Sequence, residues 1–436
     1  MAAMRTSTRR ALVASTVGST IEWYDFYLYS TAAALVLGPL FFPSTSPSAG
    51  TLAVFATYAA GFVARPLGGL VVGHFGDRVG RKSMLVLTLL VMGVATFGIG
   101  LLPTYEQVGP WAPVMLVVLR VLQGIGIGGE WGGGVLLAVE NAPEGRRGLY
   151  SSGPLIGFPL GLLASTVVFG AVSTLPRAEF LDWGWRVPFL LSVVLVALGV
   201  YVRVGIAETP EFADIRAADR IRRVPALTVL RTRWRHVVCG ALAALGVGSV
   251  VSVYTVYLLS FASARGAGGS TLPLTGLVVG AGLQCLSVPF YAALSDRVGR
   301  KPVMVFGYLV TAATAVPAMT WLTSDKPFLV VLTFVLAMAV GHGAAYGCLA
   351  AFLVDRFPAD TRYSAIAVTY QVGATASSFV PLVATTLVGG VKGTWPVAAL
   401  FIGIACTACL AVLLAPAGIP AGKPLPDKKT ANSAVG

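Results

Sequence analysis

The sequence predicts an all-α integral membrane protein of twelve transmembrane helices, arranged as two pseudo-symmetric bundles of six. Three observations predict it. Of 436 residues, 56% are hydrophobic and only 11% charged, whereas a soluble domain covers itself with about 25% charged residues. Apolar stretches of roughly 20 residues recur along the whole chain, the length a helix needs to cross ~30 Å of hydrocarbon. The chain also repeats itself: Asp-Arg-Val-Gly-Arg-Lys stands at Asp77–Lys82 and again at Asp296–Lys301.

The elements follow in order. Hydropathy places spans at 11–41, 51–74, 83–103, 112–140, 148–172 and 184–205, then at 236–263, 272–295, 302–322, 327–353, 363–390 and 394–415. The opening run, Met1 to Gly18, starts with arginines, as a secretory signal does. It continues through Glu22 and Asp25 without a small-residue cleavage site, and reads as an uncleaved first helix. The expected units are therefore 1–205, a first six-helix bundle; 206–235, an arginine-rich cytoplasmic linker; 236–415, a second bundle; and 416–436, a disordered cytoplasmic tail. Glycines and prolines are frequent inside apolar runs, which suits membrane helices. The runs of glycine in the fourth span and of glycine with proline in the fifth suit close helix packing and bending.

The formal net charge is +13. The arginines sit in short loops and form no basic domain, so nucleic acid is excluded as a partner. Lys and Arg fall about five to one on alternate loops, which places both termini and the linker in the cytoplasm. Five cysteines, Cys239, Cys285, Cys348, Cys406 and Cys409, lie in apolar segments and read as small core residues. No phosphate loop, metal cluster, cofactor motif or nucleophile–base pair is present, so no cofactor, metal or enzymatic activity is expected.

The repeated turn contains chemistry. Gly76 and Gly80 are expected to permit its tight geometry, with Gly73 before them. Asp77 stands at a helix boundary where a carboxylate accepts backbone N–H bonds. Arg81 is expected to reach Glu140 at the end of the fourth span. Asp296, Arg300 and Asp355 should do the same in the second half. A second repeat sets Glu140, Pro143 and Arg147 against Asp355, Pro358 and Arg362. Together these residues form an expected gate.

This turn resembles the signature of the major facilitator superfamily, and the resemblance covers the whole chain. Other segments narrow it: Glu22-Trp-Tyr-Asp25-Phe, Arg65-Pro-Leu-Gly-Gly69, Arg120-Val-Leu-Gln123-Gly124, Gly128-Gly-Glu130-Trp-Gly-Gly133, Trp183-Gly-Trp-Arg186 and Glu208-Thr-Pro-Glu211-Phe212. They are similar to the metabolite:proton symporters, whose members carry dicarboxylates, citrate, shikimate, or proline and betaine. Asp355 departs from that pattern, where glutamate is expected. The resemblance implies a proton-coupled importer of a small polar metabolite working by alternating access in the inner membrane. Its expected partners are the solute, protons and lipid, and it is expected to act as a monomer. An exporter on the same scaffold, or a sensor that does not transport, is the alternative.

Within the spans lie Glu22, Asp25, Arg65, Arg120 and Glu130, all in the first half. Each costs ~2.5–3.5 kcal/mol in hydrocarbon, so each must pair or face a cavity. Depth sorts them into two groups, Asp25 with Arg120 and Arg65 with Glu130. Asp25 is the expected proton carrier, tuned by Arg120, with Glu22 one turn inward. The resemblance implies the same roles for the acid of span 1 and the arginine of span 4. Candidate solute contacts are Tyr24, Tyr29, Arg65, Gln123, Glu130, Tyr257, Gln284, His342 and Tyr370. An arginine among them suits a carboxylate, which it can grip with two parallel hydrogen bonds.

Overall fold

A computed structural model describes residues 2–43, 47–206, 208–217, 225–258, 271–324, 326–390 and 394–418. Most of the tail expected to be disordered (419–436) and part of the linker (207 and 218–224) lie outside the described residues. Twelve long helical segments match the expected spans in order. The first bundle contains α1 (Ala2–Ala32), α2 (Pro47–Val79), α3 (Arg81–Leu101), α4 (Trp111–Glu140), α5 (Arg147–Val172) and α6 (Gly184–Val204). The second contains α7 (Trp234–Tyr257), α8 (Thr271–Val298), α9 (Arg300–Trp321), α10 (Pro327–Val354), α11 (Arg362–Leu387) and α12 (Trp395–Leu414). Ten of these, α3 to α12, are long and apolar enough to cross a membrane. In lipid a helix is the one open-ended element that satisfies all its own backbone groups, which is why apolar runs of this length fold this way. Large apolar side chains line the outer surfaces, Val94, Leu286 and Leu382 among them. Cys406 is exposed there too, so it is not the core residue that composition suggests.

Packing follows the repeat. Within the bundles α1 packs on α5 and α2 on α4, as α7 packs on α11 and α8 on α10. Between them, α2 meets α11 and α5 meets α8. Lys82 donates from its Nζ to the Val204 carbonyl at 2.8 Å, and Lys301 from its Nζ to the Leu413 and Ala415 carbonyls at 2.9 Å each. The same lysine of each repeat thus satisfies end carbonyls of α6 and α12 that no helical N–H can reach. π-helical turns occur at Ala33–Leu37, just after α1, and at Val253–Tyr257 in α7, near-equivalent places in the two halves. A third, Val335–His342, interrupts α10.

The repeated turns latch both seams on one face, called here the motif face. Asp77 accepts the backbone N–H groups of Tyr363 (3.1 Å) and Ser364 (2.9 Å), at the start of α11. Asp296 accepts those of Gly148 (2.8 Å) and Leu149 (2.9 Å), at the start of α5. Each carboxylate therefore caps the positive end of a helix in the opposite bundle. The turn glycines Gly80 (φ +132°) and Gly299 (φ +96°) take backbone conformations that side chains disfavour. Gly76 has a different role from the one the sequence suggests. It lies inside α2, where a Cβ would strike the Tyr363 ring. In the other seam it is the arriving helix that carries the small residue, Gly148.

Guanidiniums complete the latch. Arg81 pairs with Glu140 and donates to Ala359 O at 3.0 Å. Arg362 pairs with Glu140 at 3.1 Å and with Glu211 of the short helix Pro210–Ala217. Arg147 reaches the same Glu211 at 3.1 Å. Arg300 pairs with Asp296 at 2.6 Å and with Asp355 at 3.5 Å, so the shorter acid still meets its partner. Burial raises Glu211, but the charges of Arg362, Arg81 and Arg147 together outweigh it and hold its carboxyl below the usual range. Its contribution is complete above the ordinary glutamate value of about 4.3 and fades only as pH falls below that.

Hydrogen bonds to a charged group contribute about 1.5–3 kcal/mol each. Asp77→Asn or Asp296→Asn should therefore shift the population toward a conformation open on the motif face by at least about tenfold. Spin-label distances between the motif-face ends of α2 and α11, and of α5 and α8, check this. An unchanged distance distribution would show that the carboxylates do not hold the seams.

Candidate functional site

Two groups of polar side chains lie between the latch and the opposite face. The first is internal to the first bundle. Arg120, on α4, lies over the Tyr29 ring with its guanidinium carbon 3.6 Å from the centroid. Its Nη1 donates to Gln123 Oε1 at 2.6 Å. Gln123 Nε2 donates to Thr96 Oγ1 at 2.7 Å, and Thr96 Oγ1 donates to Asp25 Oδ2 at 2.8 Å. Every link points the same way, from the guanidinium to the carboxylate. Tyr29 Oη shares a hydrogen bond with Thr57 Oγ1 at 2.5 Å. Asp25 is fully buried, and its Oδ1 has no hydrogen-bond partner.

This geometry changes the expected pairing. Arg120 and Asp25 belong to one network, as their depths suggest, but two neutral side chains stand between them. Arg65 and Glu130 do not form the expected pair. Glu130 is held by Arg203, which the charge count assigns to the loop region. Arg203 leaves the last turn of α6 and runs inward, giving its Nη1 to Leu85 O at 2.6 Å and Glu130 Oε2 at 3.0 Å. Thr88 donates to the same Oε2 at 2.8 Å. Arg65 instead lies over Phe62 (4.1 Å) and Phe26 (5.0 Å). The residues missed by sequence reasoning are Thr96, Thr88 and Arg203. Each is a polar residue inside an apolar run, which was the available signal.

The second group lies at the interface between the bundles. Trp131 of α4 stacks on Tyr370 of α11, with centroids 3.7 Å apart and planes within 7°. Its Nε1 donates to Tyr346 Oη of α10 at 3.3 Å. His342 stacks on Tyr346 at 4.9 Å and approaches Phe158 of α5 at 5.3 Å. Gln284 of α8 is hydrogen-bonded to His342 through Nδ1. Gln371 Nε2 donates to Gly128 O at 3.1 Å. Glu22 lies within electrostatic reach of Arg65, Glu130 and Arg203, and both Glu22 and Arg65 are within reach of Tyr370. The interface therefore takes its acid and its base from the first bundle and its neutral polar groups mostly from the second.

Several polar atoms here are buried without a partner: Glu22 Oε2, Trp23 Nε1, Gln284 Oε1, His342 Nε2 and Gln371 Oε1. Buried polar groups are normally satisfied, so a cluster of exceptions at one interface suits a polar ligand that completes them. Other candidate contacts lie elsewhere. Tyr24 donates to the Pro188 carbonyl at 3.1 Å, within the first bundle. Tyr29, Gln123 and Glu130 are engaged inside that bundle too. Tyr257 lies in the π-helical turn of α7.

Comparison with known proteins gives this arrangement a family. The profile of the sugar (and other) transporter family matches residues 11–224, and that of the major facilitator superfamily matches residues 269–435. The chain is 40% identical to the shikimate transporter of Escherichia coli (strain K12), over 91% of this chain and 92% of that one. It is 41% identical to the inner membrane metabolite transport protein YhjE of the same organism, over 87% and 88%. It is 32% identical to that organism's proline/betaine transporter, over 87% and 78%. Among solved structures, the proton:xylose symporter XylE bound to 6-bromo-6-deoxy-D-glucose shares the fold with a TM-score of 0.76 at 19% identity, covering 95% of this chain and 97% of that one. Its inward open conformation gives 0.64 at 16% identity, covering 96% and 98%. The paired bundles, the latched turns and relatives of this similarity lead to one conclusion: the chain belongs to the major facilitator superfamily and is a membrane transporter of small metabolites.

Proposed function

We propose that this transporter imports a small carboxylate together with a proton, as a monomer in a bacterial inner membrane with the motif face and both termini toward the cytoplasm. The observation that carries the reading is the directional chain from Arg120 to Asp25. A static ion pair would occupy the carboxylate with the guanidinium itself. Here Asp25 is tied by one hydroxyl on Oδ2, while Oδ1 stands unpartnered. A proton can bind Oδ1 without breaking the chain. The acid is thus placed to be loaded and unloaded and is not locked.

The solute belongs at the interface. Arg65 offers the guanidinium for a carboxylate. Trp23 can donate, and Gln284, Gln371 and His342 can complete hydrogen bonds to hydroxyls. A hydroxylated ring acid of the shikimate type fits that set, with its ring face against the Trp131 and Tyr370 side chains. The latch closes the cytoplasmic side in this conformation, so the cycle would load from outside and release after the two seams part. A second reading has its own support: Glu22 beside aromatic rings also suits a quaternary ammonium group, as in a betaine.

Asp25→Asn should abolish accumulation driven by a pH gradient in proteoliposomes while leaving solute exchange within a few fold of wild type. Exchange and accumulation lost together, in protein that still folds, would count against Asp25 as the proton carrier. Arg65→Lys should raise the KM for a carboxylate by about ten- to a hundredfold, since a bidentate grip is replaced by a point charge. An unchanged KM would remove Arg65 from the binding site. A labelled panel with shikimate, a dicarboxylate, proline and betaine distinguishes the two solute readings.

A further inference from the structure

Away from the latch, where Asp77 and Arg81 are also buried, six acidic and basic side chains are buried within the first bundle: Glu22, Asp25 and Glu130, and Arg65, Arg120 and Arg203. None is more than 5% exposed. The acids and the guanidiniums are equal in number, so with all six ionised the interior has no net charge. Asp77 and Arg81 at the latch add one acid and one guanidinium and leave the count even. The second bundle presents His342, Tyr346 and Tyr370 to the interface. From the first bundle, α1 adds Tyr24, Tyr27 and Tyr29, and α3 adds the hydroxyls of Thr88 and Thr96; Tyr363 of α11 faces Glu130.

The three acids are not equivalent. Both oxygens of Glu130 are taken, by Arg203 and Thr88. Glu22 Oε2 and Asp25 Oδ1 are vacant. The fold also makes room for the Arg203 guanidinium: a Cβ at Gly18 of α1 would overlap it. Glu130 therefore has no vacant oxygen, whereas Glu22 and Asp25 each have one on which a proton can sit. A net charge in a low-dielectric interior is costly. An arriving monocarboxylate leaves the interior one charge negative, and one proton on a vacant oxygen restores neutrality.

We propose that the Glu130–Arg203 pair is a positioning element that holds the resting interior at zero charge, so that one monovalent carboxylate crosses with one proton and the loaded cycle moves no net charge. This rests on the reading of the chain as a proton-coupled carboxylate importer. On the outside an O–H bond forms on a vacant carboxylate oxygen as the anion binds. On the inside that bond breaks to water and the anion leaves.

The test uses the full chain in proteoliposomes, with labelled shikimate as the probe. Potassium and valinomycin set the potential independently of the pH gradient. Uptake driven by the pH gradient should change less than twofold when 100 mV of either sign is imposed. Moving one net charge would change accumulation roughly fiftyfold at that potential, and such a response overturns the proposal while leaving symport intact. Uptake indifferent to the pH gradient overturns the symport reading itself. Glu130→Gln adds one positive charge, so the anion should cross without its proton and lose its pH drive. Arg203→Met adds one negative charge and should make uptake depend more steeply on external protons. The double variant restores the balance and should recover the wild-type ratio of protons to solute. A double variant no better coupled than either single one would assign the pair a purely structural role.

Discussion

A charge held in hydrocarbon must be matched, and much of the first bundle is arranged by that requirement. Glu130 lies deep in α4 and needs a cation, so Arg203 extends inward from the end of α6 and α1 has only glycine where the guanidinium passes. Asp25 and Arg120 are joined through Thr96 and Gln123, which determines the facing of α3 and α4. Arg65 lies on the rings of Phe26 and Phe62. The second bundle has no such obligation: His342 is its one ionisable side chain, other than Cys and Tyr, in the middle of a described span. It can devote its interface to shape and neutral hydrogen bonds.

The same physics acts differently on the motif face. There the charges lie near the helix ends, where long side chains can choose among several partners. Glu211 meets two guanidiniums, one from α5 and one from α11. Glu140 likewise meets Arg81 and Arg362. Shared pairs of this kind tie the bundles together without fixing any one contact, whereas the buried pair of Glu130 and Arg203 lies within a single bundle and has no reason to break when the seams part.

The sequence showed the helices, the repeat and the partners of Arg81 and Arg300, because each depends on spacing along the chain. Apolar length marks a span, and an acid and a base at the ends of neighbouring helices have few other places to go. The interior pairs were less legible. Depth along a helix is uncertain by ~6 Å when a span end is uncertain by four residues, which is comparable to the reach of an arginine. That is why Arg65 could be matched to Glu130 on paper while Arg203 holds it in the fold. Arg203 also sits where an arginine ordinarily marks the end of a span. Thr96 is ambiguous in sequence, since a threonine that bonds only to its own helix and one that also reaches Asp25 look alike. The donors to Asp77 were out of reach for another reason: they come from the start of α11, far along the chain.

The stacked pair of Trp131 and Tyr370 has an effect beyond any contact with a solute. Two flat rings 3.7 Å apart leave no space for a water molecule between them. A hydrated gap at this point would admit a file of waters along which hydronium could hop. The closed stack leaves no such path between these two rings.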